Sequence, residues 1–372
     1  MEKNLIHAIV ADAGLLLPKA GTVGLDKFIV NLWIAHTDEE HALAVQKGIP
    51  VIRAPHRGSD VGAAMGYLQH EYPGILKSQV FFLCRRINFV GKFTAGAGTT
   101  CGQWTRVVDT KGRKGFWKAN PATGWCPARC SFCYLLPSMS AFGFQSLALN
   151  VGEYAEQKAR RRRIGSKMGK IPVINLGETG GFFEWAHYFD VQELVQAYLD
   201  ATLEAGVTPY VLTKRAAPGL RLAGAHVGVS LNPAPIMRER SPGASTPAEL
   251  LDFMAGAQAQ GASTVIRWGP VVAGREDAYS DLAKEVRKRG LHNGRFTVDL
   301  LRFSSKHPAT PAGFELRAHK WQERPDVQVG HLRRVKEFFP GAIITGCKLD
   351  PAVALDWVRQ GVISAMPCAC WV

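Results

Sequence analysis

The chain reads as an α/β protein: a partial, TIM-like (βα)6 barrel of parallel strands, preceded by a small α/β domain. Three observations predict this. Apolar runs of strand length recur at 171–176, 208–212, 227–231, 264–268 and 296–301. Amphipathic stretches of helix length separate them, at 191–204, 247–260 and 278–289. Near-continuous apolar strands alternating with helices require a parallel sheet with right-handed crossovers, since helices must cover both of its faces. A further strand just before Cys126 brings the number of βα units to about six, short of the eight that close a barrel. A barrel open on one side admits a large substrate, and ligands gather at the C-terminal ends of its strands.

Before the barrel, residues 1–100 have their own strand–helix rhythm. Residues 28–34 form a strand, and Thr37 caps a helix that begins with Asp38, Glu39 and Glu40 and stops at Gly48. A short strand follows at 50–53, a helix from Ser59 to Tyr72, and a third strand at 80–83. Residues 91–124 are rich in Gly, Thr and Lys, with a short strand at 105–108, and read as a connecting, substrate-facing region. The barrel domain is expected over 101–304. The remainder, 305–372, is expected as an extension over the barrel mouth. It opens with a cation-bearing loop and hairpin and continues with a helix at 332–339, a strand at 342–346 and a helix at 351–360.

Composition narrows the partners. Across 372 residues, 45 lysines and arginines face 31 acidic residues, a formal charge of +14. Part of the excess is concentrated in Lys158, Arg160, Arg161, Arg162 and Arg163, followed by Lys167 and Lys170. Such an imbalance is the footprint of a polyanionic partner such as DNA, although cations also suit a solvated helix end. No apolar run approaches the ~20 residues that span a bilayer, so no membrane association is expected. The start MEKNLIHAIVADAG lacks a signal-peptide layout. Eight cysteines with three of them clustered fit a reducing cytoplasm better than a disulfide scaffold. A monomer is expected.

The cluster itself is GWCPARCSFCYLLPSM, with Cys126, Cys130 and Cys133 at C-x3-C-x2-C and Tyr134 directly after. Buried structural cysteines scatter through a core as small hydrophobes, whereas thiols at this density hold a soft metal or an iron–sulfur cluster. Zinc sites pair their ligands and need a second pair downstream. Here the next histidine is His187 and the next cysteine is Cys347. Three thiolates on a four-iron cube leave one iron open to a ligand. At the end of the strand at 171–176 comes Gly177-Glu178, where glycine permits close backbone approach and a carboxylate can accept from an ammonium. The next strand runs into Lys214, and the one after carries Ser230 and Asn232 toward the same mouth.

The cysteine spacing with its following aromatic resembles the cluster loop of the radical S-adenosylmethionine enzymes. The resemblance implies a 4Fe-4S cluster whose open iron chelates S-adenosyl-L-methionine. One electron, from an external donor of the flavodoxin or ferredoxin type, then gives a 5′-deoxyadenosyl radical. Gly177-Glu178 is similar to the second half of that family's Gly-Gly-Glu motif. The stretch CYL after the cluster, LTK at Lys214, VSLN with ERSPGAST, GPVVAGREDAY and Arg302-Phe303-Ser304 narrow the likeness to the spore photoproduct lyase branch over 124–304. By that resemblance Lys214 and Ser230 contact the methionine end of the cofactor, and Tyr134 lies beside cluster and adenosine.

The branch also implies a pyrimidine substrate in DNA, damaged or bearing a modified side chain. Arg160, Arg161, Arg162, Arg163, Arg302, Lys306 and Arg317 are the candidate nucleic-acid contacts. Two features depart from the lyases. They return hydrogen to the product from a cysteine downstream of the cluster loop, and no cysteine lies between Cys133 and Cys347 here. They also place a tyrosine before the third cluster cysteine, where this chain has Phe132. Cys368 and Cys370 are the candidate replacements as hydrogen donor. Two rival readings are a radical enzyme acting on a peptide or small metabolite, and a non-catalytic, metal-knotted nucleic-acid-binding protein.

Overall fold

The computed structural model describes residues 30–35, 38–46, 51–53, 69–70, 73–74, 80–85, 94–95, 115–119, 122–124, 126–133, 146–149, 173–177, 181–184, 192–204, 206–272, 274–304, 314–317, 320–347 and 356–363. Apolar, β-branched and aromatic runs form most strands, the residues that suit a pleated, half-buried surface. In chain order the first are β1 (Val30–Ala35), helix α1 (Asp38–Gln46), β2 (Val51–Arg53) and β3 (Val80–Arg85). Then come β4 (Thr94–Ala95), β5 (Gly115–Ala119), β6 (Ala122–Gly124) and β7 (Ser146–Leu149). The regular part has β8 (Val173–Leu176), α2 (Gln192–Glu204), β9 (Thr208–Thr213), β10 (His226–Leu231), α3 (Ala234–Arg240) and α4 (Pro247–Ala259). It continues through β11 (Ser263–Trp268), α5 (Glu276–Lys288) and β12 (Arg295–Asp299). Last are β13 (Arg302–Ser304), β14 (Phe314–Arg317), β15 (Lys320–Glu323), α6 (Pro325–Phe338) and β16 (Ile343–Cys347).

The strands make three sheets. One has the order β2-β1-β3-β7-β6, parallel except at its β6–β7 edge. The main sheet has the order β16-β12-β11-β10-β9-β8-β5-β4 and is parallel except at the β4–β5 edge. The third, β13-β15-β14, is antiparallel and contains the expected hairpin. The main sheet is the partial barrel that the alternation predicts, with β5 as the strand ahead of the cysteine loop. It also gains β16, whose Ile343 pairs with Arg295, as a further parallel strand. Most of the helix expected at 59–72 and all of the strand expected at 105–108 lie outside the described residues.

Register divides the main sheet into two faces. Val229, Ile266, Phe296 and Ile344 form one row, Leu231, Trp268 and Val298 the next, and all are buried. Helices α2, α4 and α6 pack against these strands. Trp268 anchors this layer, 5.4 Å from the Phe339 ring and 5.7 Å from Tyr279, while Phe296 and Phe339 stack at 4.4 Å. The opposite face carries two polar rows, Ser230, Arg267, Thr297 and Thr345 in one and Tyr210 and His226 in another, with Leu212, Gly228 and Val265 in the row between. Near this second row the face is close-packed, since a Cβ on Gly228 would meet Tyr210 Oη at 3.0 Å and Val265 Cγ1 at 3.1 Å. Among the described residues no helix is long and apolar enough to cross a membrane.

Helix α4, which carries the chain from β10 to β11, starts with a complete capping box. The Thr246 side chain accepts from the Glu249 amide at 3.3 Å, and the Thr246 amide donates to Glu249 Oε2 at 2.7 Å. Pro247 supplies the first helical position, where its missing N–H costs nothing. Thr246→Ala is expected to destabilise the fold by ~1 kcal/mol, read as a lowered denaturation midpoint. An unchanged midpoint would show that the cap does not contribute.

Candidate active site

The C-terminal ends of parallel strands share one rim, and the cysteine loop is fastened to it. Between Cys126 and Cys133 the chain makes two tight turns. The Arg129 amide donates to the Cys126 carbonyl at 3.2 Å, and the Cys133 amide donates to the Cys130 carbonyl at 3.1 Å. Arg129 has φ +47°, a left-handed conformation that costs a non-glycine residue roughly 1–2 kcal/mol. Such strain persists only where surrounding contacts fix it. The segment after β10 supplies them: the Ser131 amide donates to the Arg240 carbonyl at 2.9 Å and the Gly243 amide to the Ala128 carbonyl at 3.4 Å. The Ser241 hydroxyl donates to Cys130 Sγ at 3.2 Å.

A buried carboxylate meets the loop from β8. Beyond Leu176, Gly177 turns the backbone at φ +84°, which glycine adopts without penalty. Residues 182–184 form a helical turn whose side chains, Phe182, Phe183 and Glu184, are all buried. Glu184 Oε1 accepts the Lys214 backbone amide at 2.6 Å, and among the described residues the buried Oε2 has no hydrogen-bond partner. Burial pushes this carboxyl's pKa up, and the Lys214 amide opposes the shift. Gly181 leaves room for it, because a Cβ there would overlap the carboxylate. The Gly181 and Ala128 amides also hydrogen-bond to the Cys126 sulfur. Burial pushes the Cys126 thiol far up, the charges of Glu184 and then Cys130 push it further, and the two amides pull back.

Lys214, just past β9, joins the two sides. Its ammonium hydrogen-bonds Ser230 Oγ on β10 and lies 5.5 Å from the Phe132 ring centroid, within cation–π range. Ser230 Oγ in turn approaches the Gly269 carbonyl at 3.4 Å. Asn232 is fully buried and its Oδ1 accepts the Tyr279 hydroxyl at 2.7 Å. Tyr279 Oη accepts the Val272 amide at 3.1 Å, so Asn232 fastens the connection between β11 and α5. Burial raises the Tyr279 pKa.

The buried Glu184 and the half-buried Cys126 therefore sit together, and one carboxylate oxygen has no hydrogen-bond partner among the described residues. Buried charge is expensive unless paired, and groups held this way mark functional sites. An ammonium fits Glu184. A cationic metal centre fits the thiols, since it deprotonates them outright. Among the described residues no three His, Cys, Asp or Glu converge on a single metal ion. A four-iron cube takes one thiolate per iron and asks for no such convergence.

Of the residues singled out from the sequence, Cys126, Cys130, Cys133, Gly177, Lys214 and Ser230 lie on this rim. Tyr134, Glu178, Arg160, Arg161, Arg162, Arg163, Lys306, Cys368 and Cys370 lie outside the described residues. Arg302 and Arg317 fall in β13 and β14 of the antiparallel sheet. Glu184 was not singled out. Its one local signal is the pair of phenylalanines ahead of it, which draws an adjacent carboxylate into the core.

No protein-family model matches the chain, and no curated sequence matches it. Its fold does have counterparts among solved structures. A spore photoproduct lyase with bound AdoMet and dinucleoside spore photoproduct superimposes at TM-score 0.56 and 16% identity, covering 86% of this chain and 98% of that one. A spore photoproduct lyase complexed with dinucleoside spore photoproduct gives TM-score 0.53 at 15% identity with the same coverage. At such identities the likeness is one of fold, and it extends over most of both chains.

The Glu184 geometry predicts a split between two substitutions in the metal-free protein. Glu184→Ala leaves the Lys214 amide without an acceptor and should destabilise by about 1–3 kcal/mol. Glu184→Gln keeps an acceptor and removes a buried charge, so its thermal midpoint should equal or exceed that of the unmodified chain. A midpoint for Glu184→Gln as low as for Glu184→Ala would mean that the charge itself stabilises the fold.

Proposed function

We propose that the chain is a radical S-adenosylmethionine enzyme acting on a damaged or modified pyrimidine in DNA. The observation that carries this reading is the buried carboxylate of Glu184, whose Oε2 has no hydrogen-bond partner among the described residues, set between a three-cysteine loop and the Lys214–Ser230 pair. One rim thus offers an acceptor for an ammonium, a cation and hydroxyl for a carboxylate, and thiols for a metal centre. These are the complements of an amino acid chelated to a cluster. The likeness of fold to a lyase carrying AdoMet supports the reading.

Cys126, Cys130 and Cys133 would hold a 4Fe-4S cluster and leave one iron for the methionine end of the cofactor. Bound together, cluster and cofactor supply one-electron cleavage of the sulfonium to a 5′-deoxyadenosyl radical, which takes hydrogen from the substrate. The protein's own groups orient and shield. Glu184 receives the ammonium, the role that the sequence alone gives to Glu178, and Lys214 with Ser230 receives the carboxylate. The Gly181 and Ala128 amides and the Ser241 hydroxyl donate to thiolate sulfur, which moderates its electron density. Tyr134 is assigned a place beside the adenosine.

The DNA assignment rests on the +14 charge and on the dinucleoside ligand of the lyases with this fold. Arg160 to Arg163, Arg302, Lys306 and Arg317 are assigned to phosphates. A base within a duplex must be flipped out to reach the rim. Phe132 has no hydroxyl to relay hydrogen, so return of hydrogen to the product falls to Cys368 or Cys370, or does not occur. An external flavodoxin- or ferredoxin-type protein supplies the electron.

Anaerobic reconstitution with iron and sulfide, then incubation with cofactor, reductant and candidate DNAs, tests the class through 5′-deoxyadenosine. Cys130→Ala should abolish that product and leave DNA affinity nearly unchanged, and retained product would rule the assignment out. Lys214→Ala should weaken cofactor binding by roughly 10–100-fold, the loss expected for a charge-assisted hydrogen bond. In potentiometric titration, Ser241→Ala should shift the cluster to a more negative potential, because a thiolate that loses a donor becomes richer in electrons. A potential equal to wild type would show that the Ser241 hydroxyl does not act on the cluster.

A further inference from the structure

We infer that Arg238, Arg240 and Arg275 form the surface where an acidic one-electron carrier protein docks and passes its electron in through Cys130, an inference that rests on the functional reading above. The end of α3 carries both halves of this arrangement. The Arg240 carbonyl accepts the Ser131 amide at 2.9 Å, and the next residue, Ser241, donates its hydroxyl to Cys130 Sγ at 3.2 Å. Ser241 is buried, whereas Arg238, Glu239 and Pro242 around it are exposed, and so is Ser131 in the loop. A single hydrogen bond therefore separates the Cys130 thiol from a segment that reaches solvent. Cys126 differs: buried Pro127 and Ala128 follow it, and the charge of buried Glu184 bears on it.

Electron tunnelling falls off exponentially with distance and is carried best along covalent and hydrogen-bonded paths. An external donor must therefore sit over the thiol with the shortest such path to the surface. Charge says what kind of donor fits. Glu239 Oε1 lies 3.3 Å from the Arg240 guanidinium and Oε2 lies 3.6 Å from that of Arg275, with Arg238 exposed just before them. One carboxylate thus holds two guanidiniums side by side in a group of net positive charge. Ion pairs this exposed contribute little to stability, so the guanidiniums can exchange Glu239 for a partner's carboxylates at little cost. The acidic residues that follow, Glu276 and Asp277, sit in the first turn of α5, where the helix dipole favours them. Glu276 accepts the Gly274 amide at 3.0 Å and lies near His331 and Arg334 of α6. A carrier with an acidic face complements this surface and is steered to it from a distance. The carrier gives up one electron and the thiol-held centre takes it, with no bond made or broken. DNA phosphates also suit guanidiniums, but DNA binding has no use for a path to Cys130.

The test uses the reconstituted protein, a purified flavodoxin and a single-stranded oligonucleotide, with dithionite as the small reductant. Flavodoxin affinity, titrated at low salt, should fall about ten-fold or more in Arg238→Glu/Arg275→Glu, and wild-type affinity should fall as salt is raised. Glu239→Gln, which frees both guanidiniums from their carboxylate, should bind flavodoxin more tightly than wild type. Reduction of the cluster by flavodoxin should slow in the charge-reversal variant, whereas reduction by dithionite and affinity for the oligonucleotide should match wild type. A wild type that does not bind flavodoxin would overturn the inference, and so would a charge-reversal variant that binds it equally well. Loss of oligonucleotide affinity in that variant would give these cations to DNA and overturn it too. 5′-Deoxyadenosine formed with dithionite is scored separately. Product without charge-dependent flavodoxin binding sinks the surface alone, whereas charge-dependent binding without product sinks the radical reading and leaves the surface standing.

Discussion

A single thread of polar contacts crosses the rim of the main sheet, and the site depends on it. It runs from Glu184 to the Lys214 amide, from the Lys214 ammonium to Ser230, and from Ser230 to the Gly269 carbonyl. The turn beyond Gly269 then reaches the Asp299 carbonyl through Val271. The ends of β8 to β12 are thereby tied in order. A parallel sheet makes this possible, since all its strands deliver their C-terminal connections to one edge. The cysteine loop is bound to the thread at one point by the Phe132–Lys214 contact and held beside it by Ser241. On the proposed reading, cofactor and cluster would thus share one rigid frame with the substrate, which precise hydrogen transfer requires.

The rim is the part of the fold that works against stability. A buried carboxylate oxygen has no hydrogen-bond partner among the described residues, Arg129 holds a left-handed backbone, and the Cys126 thiol sits in surroundings that oppose its ionisation. The other face of the same strands offsets these costs. Phe296 and Phe339 stack there with Trp268 edge-on to both, under α4 and α6 and with almost no exposed surface. The division follows from the period of two along each strand, which sends alternate residues to opposite faces. One stretch such as Val229-Ser230-Leu231 can therefore serve core and site at once.

The same periodicity explains what the sequence reveals and what it hides. The βα alternation and the cysteine spacing are local patterns, and both could be read directly. Lys214 and Ser230 were legible because strand ends in such a sheet point to the mouth. Glu184 was not, since its meaning comes from the Lys214 amide thirty positions along the chain. Asn232 carries a contact that its segment does not announce: its position at a strand end suggests a ligand, and its Oδ1 also accepts the Tyr279 hydroxyl. The membership of β16 in the main sheet was equally hidden, because it is set by pairing with β12 across the intervening hairpin and α6. Long-range pairing leaves no mark on a single segment.

Phe132 ties the fold to the chemistry most directly. A tyrosine at that position would offer a weak O–H bond beside the cysteine loop; a phenyl ring offers none. The ring is instead held over the Lys214 ammonium. The hydroxyls described near the rim are committed as well: Tyr279 to Asn232 and the Val272 amide, Ser230 to Lys214 and Gly269. On the proposed reading, a substrate radical formed here would meet few groups able to return hydrogen quickly. A long-lived radical has time to rearrange or to add to a neighbouring bond before it is quenched.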